Sequence, residues 1–219
     1  MLNLADGGAF SVKALEPTLF RVTHKPAAGY KEPRTWAICP QANQDVPWEG
    51  RPRESLEGFD LPQVSVADSM LATARLKVSI QTQSLRLTWT DARDGTPIAA
   101  DRVTSSYMTE QRSGLVRHYL GRAVGSGNVP LERHYGLGDK TGPLDLSGRR
   151  LRTGGMDSIG YDAMRGDPLY KHWPFTLSRT ASGQWLGIYY DTLAQCTFDF
   201  GCEHDMYHGF YRYVEIDDG

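Results

Sequence analysis

The sequence predicts an all-β fold, an antiparallel β-sandwich with one long functional loop, and three observations carry that prediction. Apolar residues alternate with polar ones in segment after segment, the period of a strand with one buried face. The 219 residues include 23 glycines, 12 prolines, 11 tyrosines and 7 phenylalanines, a mixture suited to many short strands joined by turns. Only Val64 to Leu76 has a composition that would suit a helix, and the alternation from Leu76 onward reads equally well as a strand approached by a loop.

In chain order, strands are expected at Phe10-Val12-Ala14, Phe20-Val22, Trp36-Ile38, Leu76-Val78-Ile80 and Leu85-Leu87-Trp89. Further strands are expected at Leu186-Ile188-Tyr190, Cys196-Phe198-Phe200 and Phe210-Arg212-Val214-Ile216. The turns between them fall at Ala27-Ala28-Gly29, Asp94-Gly95-Thr96-Pro97, Gly125-Ser126-Gly127-Asn128 and Ala181-Ser182-Gly183, where Gly, Asn and Pro supply the special backbone angles. From Gly136 to Trp173 the alternation stops, and the segment is rich in glycine, charge and aromatic rings. A loop this long inside a compact domain is usually functional; its core is taken as residues 139–172.

Composition excludes several functions. The 24 basic and 26 acidic side chains leave a net charge of -2, which gives no electrostatic footprint for nucleic acid or an anionic membrane. No stretch approaches the ~18 apolar residues of a membrane helix, and the N-terminus lacks a signal pattern, so a cytoplasmic location is expected. Three cysteines, Cys39, Cys196 and Cys202, suit a reducing compartment.

Gly136-Leu137-Gly138-Asp139-Lys140-Thr141-Gly142 superficially matches a phosphate loop. The dinucleotide fingerprint needs Gly where Thr141 stands, and the Walker pattern needs Gly directly before Lys, so these glycines are read as tight positions at a strand end. Cys196, Cys202, His204 and His208 are donors that zinc accepts, yet their spacing matches no standard finger. Structural roles are preferred, with Cys196 packed inward, and neither metal nor cofactor is expected. No Gly-x-Ser-x-Gly elbow is present, and Asp91, Asp94 and the terminal Asp217-Asp218-Gly219 read as solvated turn acids. Asp157 and Asp162 differ because they lie among the aromatics of the long loop. A carboxylate beside aromatic faces suits a sugar, whose hydroxyls take charge-assisted hydrogen bonds while its C–H face packs on a ring; caps and Arg pairing within the loop are the competing reading.

From about Glu132 onward the sequence resembles the N-terminal domain of glycoside hydrolase family 31, the family of α-glucosidases and α-xylosidases. The resemblance rests on Glu132-Arg133-His134-Tyr135-Gly136-Leu137-Gly138-Asp139-Lys140, Asp145-Leu146-Ser147-Gly148-Arg149-Arg150, and Met156-Asp157-Ser158-Ile159-Gly160-Tyr161-Asp162. Gly166-Asp167-Pro168-Leu169-Tyr170-Lys171-His172-Trp173 and Leu186-Gly187-Ile188-Tyr189-Tyr190-Asp191 complete it, about 70 residues in order. Asp139 stands where Glu is common, Met156 where many members carry a polar residue, and Thr192 where Asn is usual.

The resemblance implies a galactose mutarotase-like supersandwich packed on a following (β/α)₈ barrel that carries an Asp nucleophile and an Asp acid/base for a retaining mechanism. It implies that no residue of this chain is catalytic, that the 219 residues are an N-terminal piece of a larger glycosidase, and that carbohydrate is the substrate. The loop would line the sugar pocket, with Asp157 on a substrate hydroxyl, Tyr161 as a brace and Asp162 as a turn acid. Two competing classes are a free-standing carbohydrate-binding or interaction module and an aldose epimerase, for which His134 and His172 are available in type.

Overall fold

The computed structural model describes every residue except 40, 42, 111, 218 and 219, so the terminal acidic turn is described only as far as Asp217. The described residues form eighteen strands, all paired antiparallel, and one short 3₁₀ turn at Ser126–Asn128. Strands β1 (Leu2–Asn3), β2 (Ala9–Glu16) and β3 (Leu19–Lys25) make a three-stranded sheet. A short ribbon of β4 (Arg34–Thr35) and β5 (Arg51–Pro52) follows. The second sheet is a meander of β6 (Ser65–Ala67), β7 (Met70–Ala72), β8 (Leu76–Gln81), β9 (Arg86–Asp91) and β10 (Pro97–Ala100).

The C-terminal half contains β11 (Tyr107–Thr109), β12 (Val116–Gly121), β13 (Arg133–Gly136), β14 (Arg150–Thr153), β15 (Phe175–Arg179), β16 (Trp185–Tyr189), β17 (Cys196–Asp199) and β18 (Tyr211–Ile216). Five of them form a sheet in the order β11-β12-β18-β17-β14, and β13-β15-β16 form its smaller partner. The last strand of the chain therefore sits in the middle of its sheet, which explains why Tyr211, Arg212, Tyr213 and Val214 are all buried.

Period-two alternation becomes two cores. Phe10, Val78 and Leu87 close the first, joined by Val12, Phe20, Ile80 and Trp89, so the first sheet lies face to face on the meander. Leu137, Leu146, Leu151, Cys196, Phe198, Phe200 and Val214 form the second, with Tyr190 and Ile216 against it. A polar relay links the halves. His118 reaches Asp101 at 3.0 Å and the Tyr190 hydroxyl at 2.9 Å, while Asp101 Oδ2 accepts the Leu87 backbone N–H at 2.9 Å. The His118 ring lies parallel to Tyr107 at 4.6 Å, and Tyr107 meets Phe10 edge-on at 5.4 Å.

One open reading is resolved and two sequence expectations change. Residues 64–76 are not helical: β6 and β7 form a hairpin, because Asp68 takes a positive φ of 47° at the turn. Trp36 to Ile38 is a bend, not a strand; β4 ends at Thr35 and the Trp36 indole turns to donate to the Trp48 carbonyl at 3.0 Å. The long segment is not a continuous loop, since Arg150–Thr153 pairs with β17 as an edge strand and Leu151 enters the second core.

Candidate functional site: the 154–172 loop

The loop is set by the chain on either side of it. At the end of β13, Gly136 has φ 112°, and a Cβ there would stand 2.4 Å from the Phe175 carbonyl oxygen. Leu137 also takes positive φ and donates its N–H to that same oxygen at 2.8 Å, while Gly138 lies under Trp173. These tight positions turn the chain out of the sheet at a strand end, as the glycine spacing suggested.

Beyond the turn, a polar clasp holds the loop base. Lys140 Nζ, almost wholly buried, donates to the Arg152 carbonyl at 2.6 Å and stands 3.8 Å from Asp167; burial pushes its pKa down against the opposing pull of Asp167 and Asp139. Asp167 accepts the Arg152 N–H at 2.8 Å, and Thr141 and Ser158 hydroxyls bond the Gly166 and Pro168 carbonyls at 2.9 and 2.7 Å. The rim between 156 and 165 is left to solvent.

On that rim the three residues singled out from sequence separate into two groups. Asp157 is exposed, and its carboxylate lies within reach of the Tyr170 hydroxyl. Desolvation first, then the charge of Asp157, raises the Tyr170 pKa. Tyr161, 51% exposed, meets Tyr170, 48% exposed, edge-on at 6.1 Å. Asp162 instead caps its own turn, accepting the Met164 N–H at 2.8 Å through its side chain and those of Arg165 and Gly166 through its carbonyl. Asp157, Tyr161 and Tyr170 thus form one open polar and aromatic cluster. Tyr170 is the member the residue pattern did not mark, and its spacing nine residues beyond Tyr161 carries no local signal.

The remaining candidates are spent on structure. His134 is completely buried, bonds Ser178 at 2.9 Å and stacks on Phe200; burial, followed by the charges of Arg212 and Arg122, lowers its pKa to about 3. His172 bonds the Thr192 carbonyl at 2.9 Å. Cys196 is in the second core, where burial raises its thiol to about 12, whereas Cys202 is exposed and His208 pairs with Asp205 at 2.7 Å. Among the described residues no group of three or more His, Cys, Asp or Glu is placed to hold a metal ion.

An antiparallel β-sandwich with two packed cores and a polar and aromatic cluster on an exposed loop is the class of domain these features define. The family model of the glycosyl hydrolase 31 N-terminal galactose mutarotase-like domain matches residues 9–199, and the chain belongs to that family. Alpha-glucosidase 2 of Bacillus thermoamyloliquefaciens is 33% identical over 101 residues, 46% of this chain and 13% of that protein. The dextranase of Flavobacterium johnsoniae, solved with isomaltotriose, superposes on 97% of this chain and 24% of its own, with a TM-score of 0.66 at 19% identity. The α-xylosidase of Xanthomonas citri superposes on 90% of this chain and 20% of its own, with a TM-score of 0.57 at 16% identity. The chain therefore spans a quarter or less of the length of these relatives.

Proposed function

We propose that this chain is the N-terminal domain of a retaining α-glycosidase that hydrolyses α-linked glucosides or xylosides, and that its 154–172 loop lines the sugar pocket. The catalytic carboxylates would belong to a (β/α)₈ barrel outside these 219 residues, with which the sandwich packs. The observation that carries this reading is Asp157 exposed beside Tyr161 and Tyr170 on a clasped rim, inside the segment that the family model covers. A carboxylate next to aromatic edges takes a sugar hydroxyl by a charge-assisted hydrogen bond and rejects a sugar that lacks it. Tyr161 braces Tyr170, and Asp162 holds the turn that presents both. The exposed thiols Cys39 and Cys202, with all three cysteines free, support a cytoplasmic setting; among the described residues no helix is long and apolar enough to cross a membrane.

The test is kinetic and uses the longer polypeptide. Asp157→Ala is expected to lower kcat/KM on an α-linked disaccharide by about 1.5 to 3 kcal/mol, the scale of a hydrogen bond to a charged group. Kinetics unchanged from the parent would reject the role of the loop.

A further inference from the structure

A second place on the molecule gathers the same chemistry as the loop without being part of it. Between the β4–β5 ribbon and the end of β16 lies a hollow of about 210 Å³ lined by Arg34, Thr35, Trp36, Arg53, Tyr189 and Asp191, with Ala37 and Leu193 at its edge. The Asp191 carboxylate is fixed from two sides, by the Thr35 hydroxyl at 2.8 Å and by Arg53 at 3.1 Å. Arg53 also donates to the Asp191 carbonyl, and Arg34 donates to the carbonyls of Glu49 and Gly50, so both guanidiniums are held in place.

Trp36 is held as firmly. Its indole N–H is tied to the Trp48 carbonyl at 3.0 Å, and a Cβ on Gly50 would stand only 2.7 Å from the ring, so glycine backbone covers one side of it. Gly50 does not line the hollow, and Trp36 remains 41% exposed. Tyr189 also lines the hollow, its pKa raised to about 12 by burial and by the charge of Asp191, and its phenol is a hydrogen-bond donor at neutral pH.

A fixed aromatic plate, a held carboxylate and flanking donors recognise a pyranose ring: the plate packs on its C–H face while carboxylate and guanidinium exchange hydrogen bonds with adjacent hydroxyls. Arg53 and Asp191 neutralise one another, and the Arg34 guanidinium is held by the Glu49 and Gly50 carbonyls. The volume lies below the roughly 300 Å³ of sites for drug-sized ligands, and so suits one ring and not a chain.

We infer that this hollow is a second carbohydrate site, taking one neutral pyranose unit of an α-linked oligosaccharide on Trp36 and Asp191. The inference rests on the carbohydrate reading of the domain but on none of the loop residues. It is tested by titrating the 219-residue chain with maltotriose and with isomaltotriose, followed by tryptophan fluorescence and calorimetry. The same titrations are run on Trp36→Ala, Trp36→Phe, Asp191→Asn and, as a control, Met206→Ala.

Saturable binding is expected, weakened about tenfold by Trp36→Ala and by Asp191→Asn, partly restored in Trp36→Phe, and unchanged in Met206→Ala, a fully exposed residue outside both the hollow and the loop. If Asp191→Asn disturbs folding through the loss of its Arg53 partner, the exposed Trp36 pair still decides. Binding indifferent to Trp36→Ala, or weakened as much by Met206→Ala, overturns this site while leaving the loop's role intact. Silence with both sugars also overturns it. The glycosidase reading fails by a different measurement, the absence of turnover in the longer polypeptide.

Discussion

His134 is completely buried, with Nδ1 on the Ser178 hydroxyl at 2.9 Å, while Nε2 stands 3.9 Å from the Glu132 carboxylate and has no hydrogen-bond partner among the described residues. Burial and two nearby arginines depress its pKa from 6.5 to about 3, so the unfolded chain binds the proton that the folded chain refuses. Its contribution to stability is fully present above pH 6.5 and is lost as pH falls toward 3, at up to about 1.4 kcal/mol per pH unit. Urea unfolding between pH 7 and pH 4 is expected to show this slope in the parent and a shallower one in His134→Gln; equal slopes would place the acid sensitivity elsewhere. The same burial removes His134 from any role as a base at neutral pH, which weighs against the epimerase class. Sequence placed His134 beside a glycine turn and left both roles open, because burial is a property of what packs above a residue and not of its neighbours in the chain.

At the scale of elements, Asp199 shows how the edge strand inside the long segment is secured. Its Oδ1 accepts the N–H groups of Gly201, Cys202 and Glu203 at 2.7, 2.9 and 3.3 Å, and its Oδ2 accepts Arg150 Nε from β14 at 3.0 Å. One buried carboxylate thus closes the β17 turn and pins β14 to the sheet. Asp199→Ala leaves those donors without their acceptor, and a loss of about 3 kcal/mol is expected from the shift of the denaturation midpoint. A change under about 1 kcal/mol would mean that water replaces the carboxylate. The strands visible in sequence are those with strong alternation, such as Leu76-Val78-Ile80 and Cys196-Phe198-Phe200, where one face is apolar at every second position. β14 escaped because Arg150-Leu151-Arg152-Thr153 buries only one apolar side chain, and its pairing is supplied by a strand more than forty residues away. The 65–72 hairpin was ambiguous for a related reason, since its strands are three residues long and their register depends on Asp68 at positive φ.

For the whole molecule, the interior of the sandwich is filled by packed side chains in two cores, and the loop rim and the Trp36 hollow are open polar and aromatic features on its surface. The 219-residue chain alone is therefore expected to release no product from nitrophenyl α-glucoside or α-xyloside, measured by absorbance over hours at high protein concentration. Turnover lost on mutating a carboxylate of this chain would overturn the assignment of catalysis to another domain. The all-β class, the strands with strong alternation (β2, β3, β8, β9, β16, β17 and β18, seven of the eighteen) and the family were legible in sequence alone, because period-two burial, turn chemistry and ordered motifs are written residue by residue. The tertiary structure decided which sheets face one another, that the long segment carries an edge strand, that Tyr170 joins Asp157, and that Trp36 and Asp191 share a hollow although 155 positions separate them. Those outcomes depend on contacts between residues far apart in the chain, and no local pattern encodes which distant side chain will arrive opposite a given one.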